Sequence, residues 1–311
     1  MSKRKNNKAY KIITSAVLTL ALIISGIITF FPGKVFPTWN DIFRISGLNE
    51  TADASLYPFS VHFINVGQAD CELIITGEKT ILIDSGEVDS YLTVNSYLKS
   101  QNVSEIDYFI LTHGHSDHIG SAKDIIENYK INNIIMTKYS VENMPDTNLY
   151  SEFLTAVSDS SAKAYAAVPR DKYIVSDNCS FTIFAPNDNY KEINNSSVVV
   201  KVEYKNKSFL FQGDAEKKSE NDILNQNFNL KSDVVKLGHH GSKTSSTDDY
   251  LDAVNPTFAI ISCGVNNQYN LPSEETIKKL NDRKIQFCRT DVNGTIVIGT
   301  DGKELYLATE K

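Results

Sequence analysis

Residues Leu111-Thr-His-Gly-His-Ser-Asp-His118 place His113, His115, Asp117 and His118 within six positions, directly after the apolar run Ile106-Asp-Tyr-Phe-Ile-Leu111. The run reads as a strand, and the polar segment behind it as a loop at the strand end. Imidazole and carboxylate are ligands that Zn²⁺ and Mn²⁺ accept, and so short a loop can aim the first two histidines at one ion and the Asp-His pair at a second. The chemistry this implies is hydrolysis by a water activated on metal. A histidine-rich loop without metal is the plainer reading, but four ligand-type residues at this spacing argue against it.

The chain has six histidines, and five fall in two clusters. The second cluster lies in Asp233-Val-Val-Lys-Leu-Gly-His-His-Gly-Ser242, again an apolar strand running into a glycine-flanked polar turn. Adjacent histidines leave a turn in different directions, so one of His239 and His240 is expected to bind metal while the other contacts substrate or orients a ligand. His239 is the favoured ligand. The sixth, His62, lies inside the strand-like Phe59-Ser-Val-His-Phe-Ile-Asn-Val66 and reads as a core residue. Two aspartates extend the set. In Thr80-Ile-Leu-Ile-Asp-Ser-Gly86 and Ser208-Phe-Leu-Phe-Gln-Gly-Asp214, an apolar run too short for a helix ends at an aspartate near glycine, so Asp84 and Asp214 stand at strand termini. An Asp-Gly turn alone is usually a loop. Four strand ends carrying such residues point to a site.

Together these segments resemble the metallo-β-lactamase fold, and within it the ComEC-type branch, the hydrolase domain of DNA-uptake competence proteins and related standalone hydrolases. The resemblance is carried by Asn65-Val-Gly-Gln-Ala-Asp70, Leu82-Ile-Asp-Ser-Gly86, the 111–120 segment, Asn195-Ser-Ser-Val-Val199, Gln212-Gly-Asp214, Lys236-Leu-Gly-His-His-Gly-Ser242 and Arg289-Thr-Asp-Val-Asn-Gly294, in family order from about residue 59 to the end. It implies an α/β fold, the αββα sandwich, and two divalent ions, Zn²⁺ or Mn²⁺. His113 and His115 would hold one ion, Asp117 and His118 the other, with Asp214 bridging and His239 completing the second site. Asp84 would accept a hydrogen bond that fixes a ligand's ring orientation. The family's third motif usually supplies one more histidine. None occurs here between His118 and His239, where Asn195 or Ser196 stands instead. The first site should then be weaker, recruit water, or prefer an oxygen-loving ion such as Mn²⁺.

The frame around the site is equally readable. Residues 1–11 carry Lys3, Arg4, Lys5, Lys8 and Lys11, and residues 12–31 form twenty uncharged, mostly apolar positions. This is long enough for a transmembrane helix, with the basic flank cytoplasmic and the rest outside. A cleaved signal peptide is the rival, but its apolar core is normally shorter. Residues 32–58 read as a linker with one short helix around Trp39 to Ile45, and 59–311 as one hydrolase domain. Strands are expected near 59–66, 71–76, 80–84, 107–111, 133–137, 181–185, 197–204, 208–212, 233–237, 258–262, 285–289, 295–299 and 303–308. Helices are expected near 88–100, 119–129, 147–161, 215–227, 246–253 and 273–281. Cys71, Cys179, Cys263 and Cys288 are scattered and read as small buried residues.

Substrate is the open question. The resemblance points to phosphodiester cleavage, DNA first, with any translocation left to a separate channel protein. The formal charge is −7, and removing the five cations of residues 1–11 leaves −12. Such a domain would repel a polyanion unless a basic groove exists. Lys236, Lys243 and Arg289 are the residues that could clamp phosphate, with Lys236 and His240 placed nearest the chemistry alongside Asp84, Asp117 and Asp214. An envelope phosphoester of the phosphocholine or teichoic-acid type is the second reading, and a β-lactam amide a distant third. A surface binding protein with a degenerate metal site is the alternative outside the enzymes.

Overall fold

The computed structural model describes residues 57–77 and 79–311. The basic tail 1–11, the proposed anchor 12–31 and nearly all of the linker, with its short helix, lie outside the described residues. No described helix is long and apolar enough to cross a membrane.

The described chain folds as two facing sheets. The first has eight strands in the order β15-β14-β1-β2-β3-β4-β5-β6. Its members are β1 (Phe59–Phe63), β2 (Glu72–Thr76), β3 (Lys79–Ile83), β4 (Glu105–Leu111), β5 (Lys130–Met136), β6 (Lys163–Ala166), β14 (Ile296–Thr300) and β15 (Leu305–Thr309). The second has seven, in the order β13-β12-β11-β10-β9-β8-β7. These are β7 (Lys172–Ser176), β8 (Cys179–Ala185), β9 (Val199–Tyr204), β10 (Lys207–Phe211), β11 (Val234–Lys236), β12 (Phe258–Ile261) and β13 (Gln286–Arg289).

The strand sequences are apolar at nearly every position because both faces are covered. Successive side chains go to opposite faces. Ile81 and Ile83 enter the core between the sheets while Leu82 packs under the outer helices, and Phe209 and Phe211 flank Leu210 in the same way on the second sheet. Outside the first sheet lie α1 (Tyr91–Ser100), α2 (Ser116–Ile119), α3 (Ala122–Asn128) and α4 (Asn148–Asp159). In the second half of the chain come α5 (Lys217–Asn225), α6 (Asp248–Val254), α7 (Glu274–Asp282) and the single turn α8 (Thr290–Asn293). Apolar residues of α1, α3 and α4 fill the outer core of the first sheet, and those of α5, α6 and α7 fill that of the second.

This is the expected helix–sheet–sheet–helix sandwich. Thirteen expected strands are present, and β6 and β7 are additions. Both are edge strands, the last of their sheets, and every residue of β6 is exposed, so no buried face imposes an apolar alternation on them. His62 is buried in β1 between Ser60 Oγ at 2.8 Å and Tyr97 Oη at 2.8 Å, a core histidine.

Strand direction positions the site. β3, β4 and β5 are parallel, as are β10, β11, β12 and β13. Parallel strands bring their carboxyl ends to one edge of a sheet, where open α/β sheets place ligands. Asp84, the 112–118 segment, Gln212-Gly-Asp214 and Leu237-Gly-His-His240 all follow such ends.

Candidate metal centre

The loops are stitched together by main chain before any side chain acts. Ser85 N–H donates to His118 O (2.7 Å), Gly120 N–H to Gly86 O (2.9 Å) and Asp70 N–H to Asp117 O (3.1 Å). Across the sandwich, Val198 N–H donates to Thr112 O (2.9 Å), and within the second sheet's edge His239 N–H donates to Gly213 O (3.0 Å). Gly213 is required, because it adopts φ +52° and a Cβ there would stand 2.8 Å from Thr112 Cβ. Asp84, His239 and His240 take left-handed backbone at φ 55°, 51° and 53°. Non-glycine residues pay strain for this conformation and concentrate it at functional sites.

Asp84 is buried; its Oδ1 accepts from Thr112 N–H (2.8 Å), and its Oδ2 accepts from Thr112 Oγ1 (2.7 Å) and faces His118 Nδ1 at 2.7 Å. A proton on Nδ1 shared with Asp84 leaves Nε2 free to face inward. His118 Nε2 is 3.2 Å from Asp214 Oδ1 and 3.8 Å from Asp117 Oδ2. His240 is oriented in the same way: its Nδ1 sits 3.0 Å from Ser262 O, and its Nε2 reaches Asp117 Oδ2 at 3.1 Å and Asp214 Oδ1 at 3.8 Å. Asp117, His118, Asp214 and His240 thus bring one ligand atom each within 4.8 Å of one another.

The other oxygen of Asp214 faces a different set. Oδ2 is 3.9 Å from His113 Nε2 and 3.7 Å from His239 Nε2, and His113 Nε2 is 3.0 Å from His115 Nδ1. Both adjacent histidines thus face the site: His240 lies with Asp117 and His118, and the favoured His239 stands across Asp214 on the side of His113. Two consecutive residues in left-handed backbone turn their rings to opposite sides of one carboxylate, which residue spacing does not reveal.

Two further expectations change. Lys236, assigned to the chemistry as a phosphate clamp, is 1% exposed, with its ammonium on Asp70 Oδ2 behind the histidines. Arg289 is turned onto Asp291 (2.6 Å). At the third motif, Asn195 Oδ1 is engaged by Ser219 N–H (3.1 Å), and the Ser196 main-chain carbonyl accepts from Thr137. Asn194 lines the cavity instead, with Oδ1 buried and unpartnered.

Asp70 was present in a quoted motif but given no role. It is fully buried, and its Oδ1 lies 3.4 Å from His240 Nδ1. Glu72 is buried beside it, and burial, reinforced by the Asp70 charge, pushes its carboxyl well above the usual range. Burial opposes the Lys236 charge, but Asp70 and Glu72 outweigh it and hold the ammonium.

The electrostatics suit cations. Burial works against charge on His118 and His240, yet Asp214, Asp117 and Asp84 raise the first well above the ordinary imidazole range, and Asp214 and Asp70 raise the second to about 10. Burial also opposes charge on Asp214, which those imidazoles nevertheless pull well below the usual carboxylate range. Apart from their own 3.2 Å approach, which is poorly aligned for a hydrogen bond, His118 Nε2 and Asp214 Oδ1 are buried without a hydrogen-bond partner among the described residues. Orphaned buried polar atoms are rare in folded proteins and commonly mark a bound ion. Imidazole nitrogens and carboxylate oxygens around unpaired atoms fit divalent metal, with Asp214 between two ligand sets.

A two-sheet αββα sandwich with this histidine–aspartate cluster at its strand ends defines a class, and sequence comparison agrees: the chain carries a metallo-β-lactamase domain, the model of that superfamily matching residues 64–178. It is similar to ComE operon protein 3 of Bacillus subtilis (strain 168), 30% identical over 255 residues, covering 76% of this chain and 32% of that protein. It is also similar to Recombination protein 2 of Haemophilus influenzae, 30% identical over 244 residues, covering 76% of this chain and 28% of the relative. The chain spans about a third of the length of these curated relatives. Among solved structures, Igni18, a metallo hydrolase from the archaeon Ignicoccus hospitalis KIN4/I, superposes with TM-score 0.53 at 14% identity, covering 78% of this chain and 100% of that one. CmlA, a diiron β-hydroxylase from Streptomyces venezuelae, gives 0.52 at 12% identity, covering 78% of this chain and 54% of that one. The fold therefore does not fix the reaction.

Proposed function

We propose that this chain is a metal-dependent phosphodiester hydrolase. The observation that carries the reading is Asp214, buried, with one oxygen facing Asp117, His118 and His240 and the other facing His113 and His239. In this reading Asp117, His118 and His240 hold one divalent ion, while His113, His115 and His239 hold the other, His239 standing in for the absent third-motif histidine. Two such ions, when bound, lower the pKa of a water and neutralise charge developing on a phosphoryl group. The chain's own part is to fix the geometry: Asp84 and Ser262 O hold the His118 and His240 rings, and Asp214 spaces the two ligand sets. Either Zn²⁺ or Mn²⁺ suits these donors.

Relatives named for competence and recombination favour nucleic acid as the substrate. Residues 12–31 favour a membrane anchor with the domain outside the cytoplasm, beside a separate channel protein if DNA is moved. The test is incubation of the purified full chain, loaded with Mn²⁺ or Zn²⁺, with bis-p-nitrophenyl phosphate. Turnover abolished by chelator and restored by metal is expected, and a metal-replete chain without turnover would leave a binding protein of this fold.

A further inference from the structure

The cavity in front of the metal centre, about 800 Å³, is lined in part by Asn194, Asp214, His239 and His240. Of the histidines that face Asp214, His113, His118 and His240 have side chains no more than 2% exposed, whereas that of His239 is 27% exposed. Packing holds the first three rings. It does not enclose the fourth, whose direction must come from polar partners. His239 Nδ1 has two, Glu216 Oε1 and Thr244 Oγ1, each at 3.2 Å.

Glu216 is free for this because its helix is capped from elsewhere. It stands at the N-cap of α5 with extended backbone, at φ −103° and ψ −178°, and its side chain makes no cap hydrogen bond. A side chain there ordinarily accepts from N–H groups of the first turn, and a carboxylate gains further from the positive end of the helix. Here the Ser219 N–H, the third of the helix, donates to Asn195 Oδ1 at 3.1 Å. The third motif thus serves the helix end, and the Glu216 carboxylate turns to His239. Main chain and hydroxyl bonds hold the two segments together: Lys217 N–H donates to Thr244 O (3.0 Å), and Ser245 Oγ to Ala215 O (2.8 Å).

The two partners of Nδ1 are not equivalent. A hydroxyl donates or accepts and so tolerates either tautomer, but an ionised carboxylate only accepts and requires the proton on Nδ1. Nε2 is then bare, facing Asp214 Oδ2 at 3.7 Å, which is the form in which a histidine binds metal. We propose that Glu216 is the positioning residue of His239: it selects the Nδ1-protonated tautomer and aims Nε2 at the ion site shared with His113 and His115. The inference rests on the metal-site reading above and adds the residue that makes His239 a ligand.

The experiment has two readouts on the full chain. In the metal-free protein at about pH 8.5, above the ordinary imidazole range, long-range proton–nitrogen spectra of the histidine-labelled chain report the tautomer of His239. Expected is Nδ1–H in the wild type, a mixture in Glu216→Ala, and a return toward Nδ1–H in Glu216→Gln, which keeps an accepting oxygen; unchanged signals of the core residue His62 report an intact fold. In calorimetric titration with Mn²⁺, Glu216→Ala should weaken one of the two ions by about 10–100-fold and leave the other unchanged. A His239 that is Nε2-protonated in the wild type or still Nδ1-protonated in Glu216→Ala, or equal weakening of both ions, would overturn the inference. A wild type that binds no ion would remove the metal-site reading instead, and the tautomer in the metal-free chain would still decide the part played by Glu216.

Discussion

Asp84 illustrates how one side chain serves the centre without facing the cavity. It receives Thr112 and His118, at 2.7–2.8 Å, from a left-handed backbone position. Removing such an outer partner typically weakens metal affinity by about 10–100-fold. Asp84→Ala should therefore bind Mn²⁺ roughly that much less tightly by isothermal titration, and an unchanged affinity would deny it the orienting role. His113, His115, Asp117, His118, Asp84 and Asp214 were legible because each stands at a strand end beside glycine or another ligand type. Asp70 was not, because its partner Lys236 is 166 positions away and only the closure of the two sheets brings them together. The side of Asp214 that each ring of His239 and His240 takes was illegible for a local reason: ring direction there depends on φ, which the residue names do not carry.

At the scale of elements, the buried strands announced themselves by their apolar runs, while β6 and β7 did not because edge strands bury little. His62 ties β1 to α1 through Tyr97, and burial lowers its pKa from 6.5 to about 3. The folded chain keeps it neutral to about pH 3, whereas the unfolded chain protonates it near 6.5. The unfolded state thus binds the extra proton between those values, and stability rises with pH across that window, by up to about 5 kcal/mol from this group. His62→Gln, which keeps hydrogen-bonding groups, should flatten the slope of unfolding free energy against pH between about 3 and 6.5 by close to one proton. Denaturant titrations at several pH values measure it, and parallel curves for the two proteins would rule out a titrating His62.

For the molecule as a whole, the two sheets are joined at the site by a buried ion pair as well as by apolar packing. Asp70 lies between β1 and β2 of the first sheet and Lys236 ends β11 of the second. Removing one member of such a pair leaves a buried charge and costs about 3–5 kcal/mol. Lys236→Met should lose that much stability in guanidinium unfolding, and Asp70→Leu combined with Lys236→Met should recover much of it. Equal losses in the single and double variants would mean the pair is not coupled. The sandwich followed from the sequence, but the acidic character of the cleft did not, since Glu87 and Asp89 become part of one wall only when the loops after β3 and around Asn267 converge.

The central claim is that Asp214 separates two bound cations. Metal content of the full chain, measured by mass spectrometry after loading with Mn²⁺ and removal of excess, tests it most directly. The account predicts close to two ions per chain in the wild type and one or none in a folded Asp214→Ala variant. A wild type that retains no metal, or an Asp214→Ala variant that still holds two, would contradict it.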